Sequence, residues 1–290
     1  MRSIEYIITE NENGKTVERF LKSKGYSSAL ITCLKKTEKG VLLNGEPVFV
    51  VTPLKTNDCL LISIDDEEKS ENIIPIDLGF SVLFEDEDYI IYDKPAGVVV
   101  HPTKVYQTQT IGNDFMYRCN QRGERSLFRP VYRIDRNTSG AVVIAKNKLS
   151  AATHFDKDYI CICNGKLDES GYFDQPIGLC DGSKIKRTVG NDGQTALTEY
   201  KLLAYNNGYS LAQVKLHTGR THQIRTHFSC NGFALAGDDL YGYETEGINR
   251  HALHCVKVHF KHIVTGENIT VESKLPQDMC LFLKKNNISY

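Results

Sequence analysis

The sequence lacks the features that mark several large classes of protein. No two cysteines have the CxxC spacing, and the nine cysteines are an odd number placed singly along the chain, so we predict neither a disulfide framework nor a zinc ribbon. No stretch reaches the roughly 18 apolar residues of a membrane span, and the first residues do not resemble a secretory signal. We therefore expect a cytoplasmic protein with reduced thiols that does not enter a membrane.

The chain also lacks an excess of charge of either sign. Thirty-five basic and 36 acidic residues give a net charge of −1. The charges are nevertheless segregated, because seven cations and two anions lie between residues 117 and 147, whereas acids cluster at 65–68 and 85–88. Such a distribution permits a polyanion on one face. The alternative is that these arginines are ordinary solvated side chains.

At 290 residues the chain is long enough for about two domains, and its pattern changes near residue 65. Thr16 is positioned to cap one helix, and Ser27 or Ser28 to cap a second, each followed by apolar residues at helical spacing. Two strands joined by an Asn44–Gly45 tight turn follow. We predict that residues 1–65 form a separate helix-hairpin module.

This order of elements resembles the alpha-L RNA-binding module of ribosomal and RNA-modifying proteins. Cations outnumber acids by eight to four between residues 13 and 60, as a phosphate-binding surface requires. The resemblance implies RNA contacts from the basic side chains of this module. The candidates are Lys15, Arg19, Lys22, Lys35 and Lys36.

The acidic run 66–76 is the predicted linker, and residues 77–290 are predicted to form a larger α+β domain. Short apolar runs such as 89–92 and 141–145 indicate strands. The clearest helical pattern in this part of the chain is KLSAATHFDK, residues 148–157.

Asp135 is the first candidate for chemistry. It lies in a polar loop directly before a strand that reads as fully buried, and Arg133 and Arg136 flank it. A core strand fixes the loop that enters it, and neighbouring guanidinium groups favour the negative charge of a carboxylate. A positioned carboxylate can act as a nucleophile or a base. The competing interpretation is a surface aspartate paired with arginine in a Thr-Ser-Gly turn.

Four stretches occur in a fixed order: DKPAGVVVHP, YRIDRNTSG with VVIAKN, KDYICICNG, and LHTGRTHQIRTHFSCNGFALAGDDLYG. Together they cover most of residues 80–260 and closely resemble the motifs of the RluA-type RNA pseudouridine synthases. The resemblance implies a catalytic domain of the pseudouridine synthase fold, with a mixed, mainly antiparallel sheet, that isomerises uridines in RNA. No cofactor is expected, because the isomerisation neither gains nor loses atoms and therefore needs no redox group. Ribosomal RNA is the expected substrate, transfer RNA is the runner-up, and a monomer is the expected state.

The same resemblance assigns roles to individual residues. Asp135 matches the catalytic aspartate, and Arg133 matches the arginine that takes the place of the flipped nucleotide. Tyr159 matches the tyrosine that packs against the target uracil. Arg225 is assigned to the ion pair with the aspartate, ahead of Arg220. The substrate-binding candidates are Arg133, Arg136, Arg220, His222 and Thr138.

Three positions depart from the family pattern. The family usually has histidine where this chain has Tyr132, a change beside the catalytic loop that could alter substrate choice. Cys161 and Cys163 stand where alanine and valine are usual, and we expect them to behave as apolar side chains of similar size.

Other kinds of site were weighed against this interpretation. His217, His222 and His227 are spaced five apart, and that interval places them on different faces of a helix or strand, so no metal site is predicted. Asp238 and Asp239 are expected to point apart in a turn. A glycosidase would need a second catalytic carboxylate, and the sequence offers no obvious partner for Asp135. A non-catalytic RNA-binding protein on the same fold remains the second hypothesis.

Overall fold

The computed structural model describes residues 2–65, 72–124 and 127–290. In the first range, two helices pack with a four-stranded sheet of order β1-β4-β2-β3 around one apolar core. We call this part the N-terminal module. Its elements are β1 (Arg2–Ile7), α1 (Val17–Ser23), α2 (Ser28–Lys36), β2 (Val41–Leu43), β3 (Glu46–Pro47) and β4 (Cys59–Ile64).

Both predicted helices of the N-terminal module are confirmed, with the predicted caps. The Thr16 hydroxyl accepts the N–H of Arg19, and the Ser27 hydroxyl accepts the N–H of Leu30, which satisfies donors that a helix start leaves free. The strand β1 was not predicted. It pairs antiparallel with β4 along its whole length. Because β4 also pairs with β2 of the hairpin, β1 is the fourth strand of the module sheet.

The predicted hairpin is confirmed, but its second strand is shorter than expected. Asn44 and Gly45 have φ of 53° and 88°, the positive values that a two-residue hairpin turn of type I′ requires. The second strand ends at Pro47. The apolar residues 48–50 leave the sheet and enter a turn closed by a hydrogen bond from the Thr52 N–H to the Phe49 carbonyl, at 3.0 Å.

The rest of the described chain forms a mixed sheet of ten strands, a two-stranded ribbon and three helices. The sheet has the order β10-β13-β14-β9-β15-β8-β6-β5, with β16 on β15 and β7 on β8. Its elements are β5 (Val82–Glu85), β6 (Tyr89–Lys94), β7 (Arg129–Pro130), β8 (Ser139–Ala145), β9 (Asp156–Asn164), β10 (Ser170–Phe173), β13 (Thr198–Asn206), β14 (Tyr209–Leu216), β15 (Leu253–Lys261) and β16 (Asn268–Glu272). The ribbon is β11 (Ile177–Leu179) with β12 (Arg187–Val189), and the helices are α3 (Ile111–Gln121), α4 (Gln223–Cys230) and α5 (Gln277–Lys285).

The α+β class with a mainly antiparallel sheet is therefore confirmed. The strand β8 is buried along all seven residues and pairs antiparallel with β6. On its other side its first residues pair in parallel with β15, Ser139 with His254 and Gly140 with Cys255. This parallel contact brings the chain ahead of β8 next to the chain ahead of β15.

The predicted helix at 148–157 is wrong. The chain makes one short 3₁₀ turn at Ser150–Ala152 and then enters β9. The Asn147 side chain accepts the N–H groups of Leu149 and Ser150, a local turn that competes with helix. Phe155 then packs against Tyr89 and Phe260 in the core, so tertiary burial overrides the helical pattern.

The N-terminal module contacts the large sheet through a charged junction. Arg2 donates to both carboxylate oxygens of Asp88, at 3.1 and 3.0 Å, and Asp88 is almost fully buried. His262 Nε2 lies 3.0 Å from Asp86 Oδ2. The ligand atoms of Asp86, Asp88 and His262 lie within 4.8 Å of one another, and the Arg2 guanidinium supplies positive charge at this cluster. Ile263 packs against the module core beside it.

Of the predicted linker, residues 66–71 lie outside the described residues. Ile73 is buried in the core of the large sheet, and Ile76 N–H donates to the Asn113 carbonyl of α3. Ile73 and Ile76, which belong to the predicted linker, are thus attached to the sheet domain.

All nine cysteines are free. Cys161 and Cys163 are fully buried on β9, as expected for apolar replacements. Among the described residues, no helix combines the length and apolar character needed to cross a bilayer.

Gly140 provides a test of the parallel contact. A Cβ at this position would lie 2.2 Å from the carbonyl oxygen of Cys255, and its φ of 109° disfavours side chains. We expect Gly140→Ala to lower the free energy of unfolding by about 2–4 kcal/mol, measured by urea denaturation. Gly208→Ala is the control, because Gly208 also has positive φ but an added Cβ meets nothing within 4 Å. Equal losses would show that the close approach of the strands contributes nothing.

Candidate active site

A cleft of about 590 Å³ opens where the parallel pair begins. Its walls come from the loop ahead of β8, from β9, from the loop between β14 and α4, and from residues 99–103. A smaller pocket of about 60 Å³ at its inner end is lined by Asp135, Tyr159 and Arg225. Segments far apart in the sequence therefore meet at one place.

The loop that carries Asp135 is held through its main chain. The Thr138 N–H donates to the Asp135 carbonyl at 3.1 Å, and Arg250 Nη1 donates to the Asn137 carbonyl at 2.9 Å. The Thr138 hydroxyl lies 2.9 Å from Nε2 of the buried His251. Thr138, predicted to bind substrate, is itself buried, supports the loop through this contact and is among the residues that line the smaller pocket.

Lys94 fixes the same loop from the opposite side. Its side chain is fully buried, and Nζ donates to the carbonyls of Pro95, Val98 and Arg136 at 2.9, 2.7 and 2.9 Å. Burial lowers the pKa of Lys94 to about 7. Three carbonyl oxygens match the three donors of an ammonium group. Lys94 thereby ties residues 95–98 to the Asp135 loop, an attachment that the Gly97 N–H doubles by donating to the Arg136 carbonyl.

Asp135 shares a buried guanidinium with a second carboxylate. Arg225 Nη1 donates to Asp135 Oδ2 at 3.1 Å, while Nε and Nη2 bind Asp238 as a fork, each at 2.8 Å. Burial opposes the charge of Arg225, but the hydrogen bonds and charge of Asp238 more than offset it and raise its pKa. Asp238 has no solvent exposure, whereas the Asp135 side chain is 26% exposed. Only Asp135 can therefore meet a ligand.

Two tyrosines, Tyr132 and Tyr159, form part of the wall of the cleft. Tyr159 on β9 lines both pockets, and burial beside Cys255 raises its pKa well above 10, which keeps the phenol neutral. Tyr132 donates its hydroxyl to the Ala141 carbonyl at 2.9 Å, and Lys157 Nζ lies 4.6 Å from its ring centre. The departure Tyr132 thus has a structural anchor in β8.

His222 lies at the start of α4 in a left-handed conformation, with φ of 57°. Its Nε2 is 3.8 Å from Asp135 Oδ2, and its Nδ1 is 3.0 Å from the Tyr241 hydroxyl. Burial lowers the pKa of His222, with the Asp135 charge acting in the opposite sense. A left-handed conformation is uncommon in residues other than glycine, and the instances that occur are often at functional sites.

Of the remaining predicted arginines, Arg133 and Arg220 line the cleft, and Arg136 is not among its lining residues. Arg133 is exposed and lines the cleft. Arg136 contacts the Tyr106 hydroxyl and ring, and Arg220 Nε donates to the Thr195 carbonyl at 3.0 Å. The expectation that Arg133 and Arg136 hold the charge of Asp135 is not met, since among the described residues the arginine bonded to its carboxylate is Arg225.

The other predicted basic and histidine positions lie apart from this site. Lys22 pairs with Glu18 on α1 at 2.8 Å, and the remaining module cations lie on or beside α1 and α2: Lys15, Arg19, Lys35 and Lys36. His217 and His227 bind different partners, Glu199 and Thr198, so the three histidines spaced by five do not gather.

The sequence analysis missed three residues that build the site: Lys94, Asp238 and His251. Two of them lie inside motifs that the sequence shows: Asp238 is in the GDDLYG stretch, for which only a turn is predicted, and Lys94 is in DKPAG. The turn prediction itself is confirmed in part, since Asp238 is buried and Asp239 is exposed. Among the described residues lining the cleft, Asp135 is the only carboxylate, which argues against a two-carboxylate glycosidase.

Comparison with known proteins identifies the family of this chain. The family described as RNA pseudouridylate synthase matches residues 88–230. The chain is 35% identical over 289 residues to the uncharacterized RNA pseudouridine synthase YhcT of Bacillus subtilis (strain 168), covering 96% of this chain and 95% of that protein. This chain belongs to the RluA family of RNA pseudouridine synthases.

A second relative of this RluA-family enzyme carries a more specific name. This relative is the ribosomal large subunit pseudouridine synthase D of Zymomonas mobilis. The chain is 31% identical to it over 321 residues, covering 100% of this chain and 99% of that protein. The fold is also that of human RNA pseudouridylate synthase domain containing 4, with a TM-score of 0.59 at 20% identity, covering 72% of this chain and 94% of that one. The enzyme is thus an RNA pseudouridine synthase, and RNA is its substrate.

The buried His251 makes the stability of this RluA-family enzyme depend on pH. Burial, with the positive charge of Arg225, lowers the pKa of His251 to about 3, whereas a histidine in an unfolded chain has a pKa of about 6.5. Below that pH the unfolded chain binds a proton that the folded chain does not, so stability is lost as pH falls from about 6.5 toward 3. We expect His251→Gln to reduce this loss in urea denaturation at pH 7, 5.5 and 4.5. His154→Gln, at a side chain 88% exposed, should follow the parent, and an unchanged acid limb in His251→Gln would contradict the assignment.

Proposed function

We propose that Asp135 is the catalytic carboxylate of this synthase and that it acts on a flipped-out uridine of ribosomal RNA. The observation that carries this proposal is the pairing of Asp135 with Arg225. Asp135 is the one carboxylate among the described residues of the cleft, and its Oδ2 accepts a hydrogen bond from a guanidinium that Asp238 holds in place. A fixed, half-buried carboxylate facing an open cleft is suited to nucleophilic or base catalysis.

The reaction exchanges one glycosidic bond for another. The bond from ribose C1′ to uracil N1 breaks, the uracil turns, and a bond from C1′ to C5 forms. C5 then loses its proton, and N1 gains one. Atoms and electrons balance without an added reactant. Asp135 either attacks C1′ and is later displaced, or removes the neighbouring C2′ proton and returns it. Arg225 serves both routes by orienting the carboxylate.

The flipped base needs a filler for its vacated place and a pocket for its ring, because unstacking costs a few kcal/mol. Arg133 is exposed at the rim of the cleft and is proposed as the filler. Tyr159 presents a neutral ring in the inner pocket and is proposed to pack on the uracil. Arg136, Arg220 and His222 are proposed to contact phosphates or the base at the same rim.

The choice of ribosomal RNA rests on the name of the relatives called ribosomal large subunit pseudouridine synthase D. The cations of the N-terminal module are proposed to add phosphate contacts outside the cleft. Residues 1–65 are proposed as the RNA-binding domain and 77–290 as the catalytic domain, in a monomer that acts in the cytoplasm. Transfer RNA is the alternative substrate, and RNA binding without catalysis is the alternative function.

Asp135→Asn tests the catalytic assignment. The amide keeps the shape of the side chain but loses the charge that attack or proton removal needs, so we expect isomerisation to fall by at least about a thousandfold, a loss of the size seen for essential catalytic groups, with RNA affinity within a few-fold of the parent. Pseudouridine mapping of total RNA from deletion cells carrying either protein reports the activity and the target together.

Asp239→Asn is the matched control, since Asp239 is exposed and does not line the cleft, and it should restore every site. A modified site rescued by Asp135→Asn would overturn the assignment. If the lost sites lie in transfer RNA, the substrate proposal is wrong and the catalytic one stands. If no site is lost, purified protein with transcribed ribosomal RNA decides between catalysis and binding alone.

The module cations are tested by salt dependence. Each phosphate contact releases counterions, so replacing Arg19, Lys35 and Lys36 with alanine should make the slope of log affinity on log salt shallower by about 2–3 in ribosomal RNA binding. The control replaces Lys257 and Lys285, which are paired with Glu272 and Glu246 on the surface of the sheet domain. An unchanged slope in the first variant would remove the module from the RNA interface.

A further inference from the structure

The N-terminal module has an open apolar groove beside the proposed phosphate contacts. Its volume is about 570 Å³, and it lies between the end of α2 with its following turn and the segment 47–51. Leu34, Val41 and Val50 are buried there. The groove is on the module itself, away from the residues that line the cleft.

One side of the groove presents an aromatic ring to solvent. Phe49 is 83% exposed and Val51 is 69% exposed, at a turn closed from Thr52 N–H to the Phe49 carbonyl. Turn positions are normally occupied by glycine, proline, asparagine, aspartate or serine. The turn is also held in place, because the N–H groups of Val17 and Glu18 donate to the carbonyls of Thr52 and Val50. The backbone from which this exposed ring projects is therefore fixed.

The opposite side of the groove is basic. Lys35 and Lys39 line it, and no carboxylate does so among the described residues. Lys39 has a φ of 56°, a conformation that side chains other than glycine and asparagine seldom adopt. The turn that imposes it is closed by Gly40 N–H to the Thr37 carbonyl, and a Cβ on Gly40 would lie 2.4 Å from the Leu34 carbonyl. Lys39 is therefore held at the groove by its backbone.

We propose that this groove binds one unpaired nucleotide of the substrate RNA, with the base stacked on Phe49 and the adjoining phosphates at Lys35 and Lys39. An aromatic face beside cations is the combination that binds single-stranded nucleic acid, since any base can stack and each phosphate is neutralised. The positive lining favours RNA over an apolar protein segment. Such a segment would remove water from the ammonium groups of Lys35 and Lys39 without offering them a negative partner. This inference rests on the proposed RNA-binding role of the module.

The absence of tryptophan from the chain allows a direct test. Phe49→Trp places a single tryptophan at the groove, and stacking of a base should quench its fluorescence. The probes are three RNA hairpins: one with a single bulged nucleotide, one with an abasic bulge, and one fully paired. We expect quenching by the first alone. Tyr172→Trp is the control, because Tyr172 is 63% exposed on the edge strand β10 of the other domain and should give no quenching.

Affinity gives the second measurement. Phe49→Ala should weaken binding of the bulged hairpin by about ten- to a hundredfold and leave the fully paired hairpin unchanged, while Phe49→Tyr should retain parent affinity. A Phe49→Ala variant that binds the bulged hairpin as tightly as the parent does, or equal quenching by the abasic bulge, would overturn the nucleotide site. If those results come with a salt slope that still depends on Arg19, Lys35 and Lys36, the RNA-binding role of the module stands and the groove serves a protein contact. If the parent binds none of the hairpins and no ribosomal RNA, the proposed function fails with it.

Discussion

A buried guanidinium is the constraint on which the catalytic centre depends. Arg225 is 5% exposed, and a charge in that position is costly unless its donors are all met. Asp238 takes two of them as a fork, and the third direction is left to Asp135. Tyr241 covers the guanidinium face at 5.0 Å. The acid that can meet RNA is therefore oriented by an acid that cannot.

The loop around Asp135 is rigid because side chains, not neighbouring strands, satisfy its carbonyls. Lys94, at the end of β6, binds one, and Arg250, directly ahead of β15, binds another. Both cations come from segments that flank β8 in the sheet. The sheet order thus delivers two buried cations to one short loop, and a catalytic side chain gains precision from a support of this kind.

The sequence analysis succeeded where the determinants were local or where a motif was complete. Caps at Thr16 and Ser27 and the Asn44–Gly45 turn act within a few residues, so they could be predicted. The failures were non-local. The helix expected at 148–157 gave way to burial of Phe155 against residues about 100 positions away, and β1 needed a partner at the far end of the module. Asp238 and His251 gain their roles only through Arg225 and Thr138, which the sequence places 13 and 113 residues away.

The junction between the two parts of the chain has a geometric consequence. Arg2 grips Asp88 with two hydrogen bonds, and Ile263 packs into the module core, so the module is seated on the sheet rather than tethered to it by the linker alone. Because the module is fixed on the sheet, the distance between the surface of the module and the active-site cleft is fixed as well. An RNA that contacts both surfaces must hold its target uridine at that fixed distance from the nucleotides that contact the module. The protein then selects a substrate by the three-dimensional spacing of these two parts of the RNA as well as by the base that is modified.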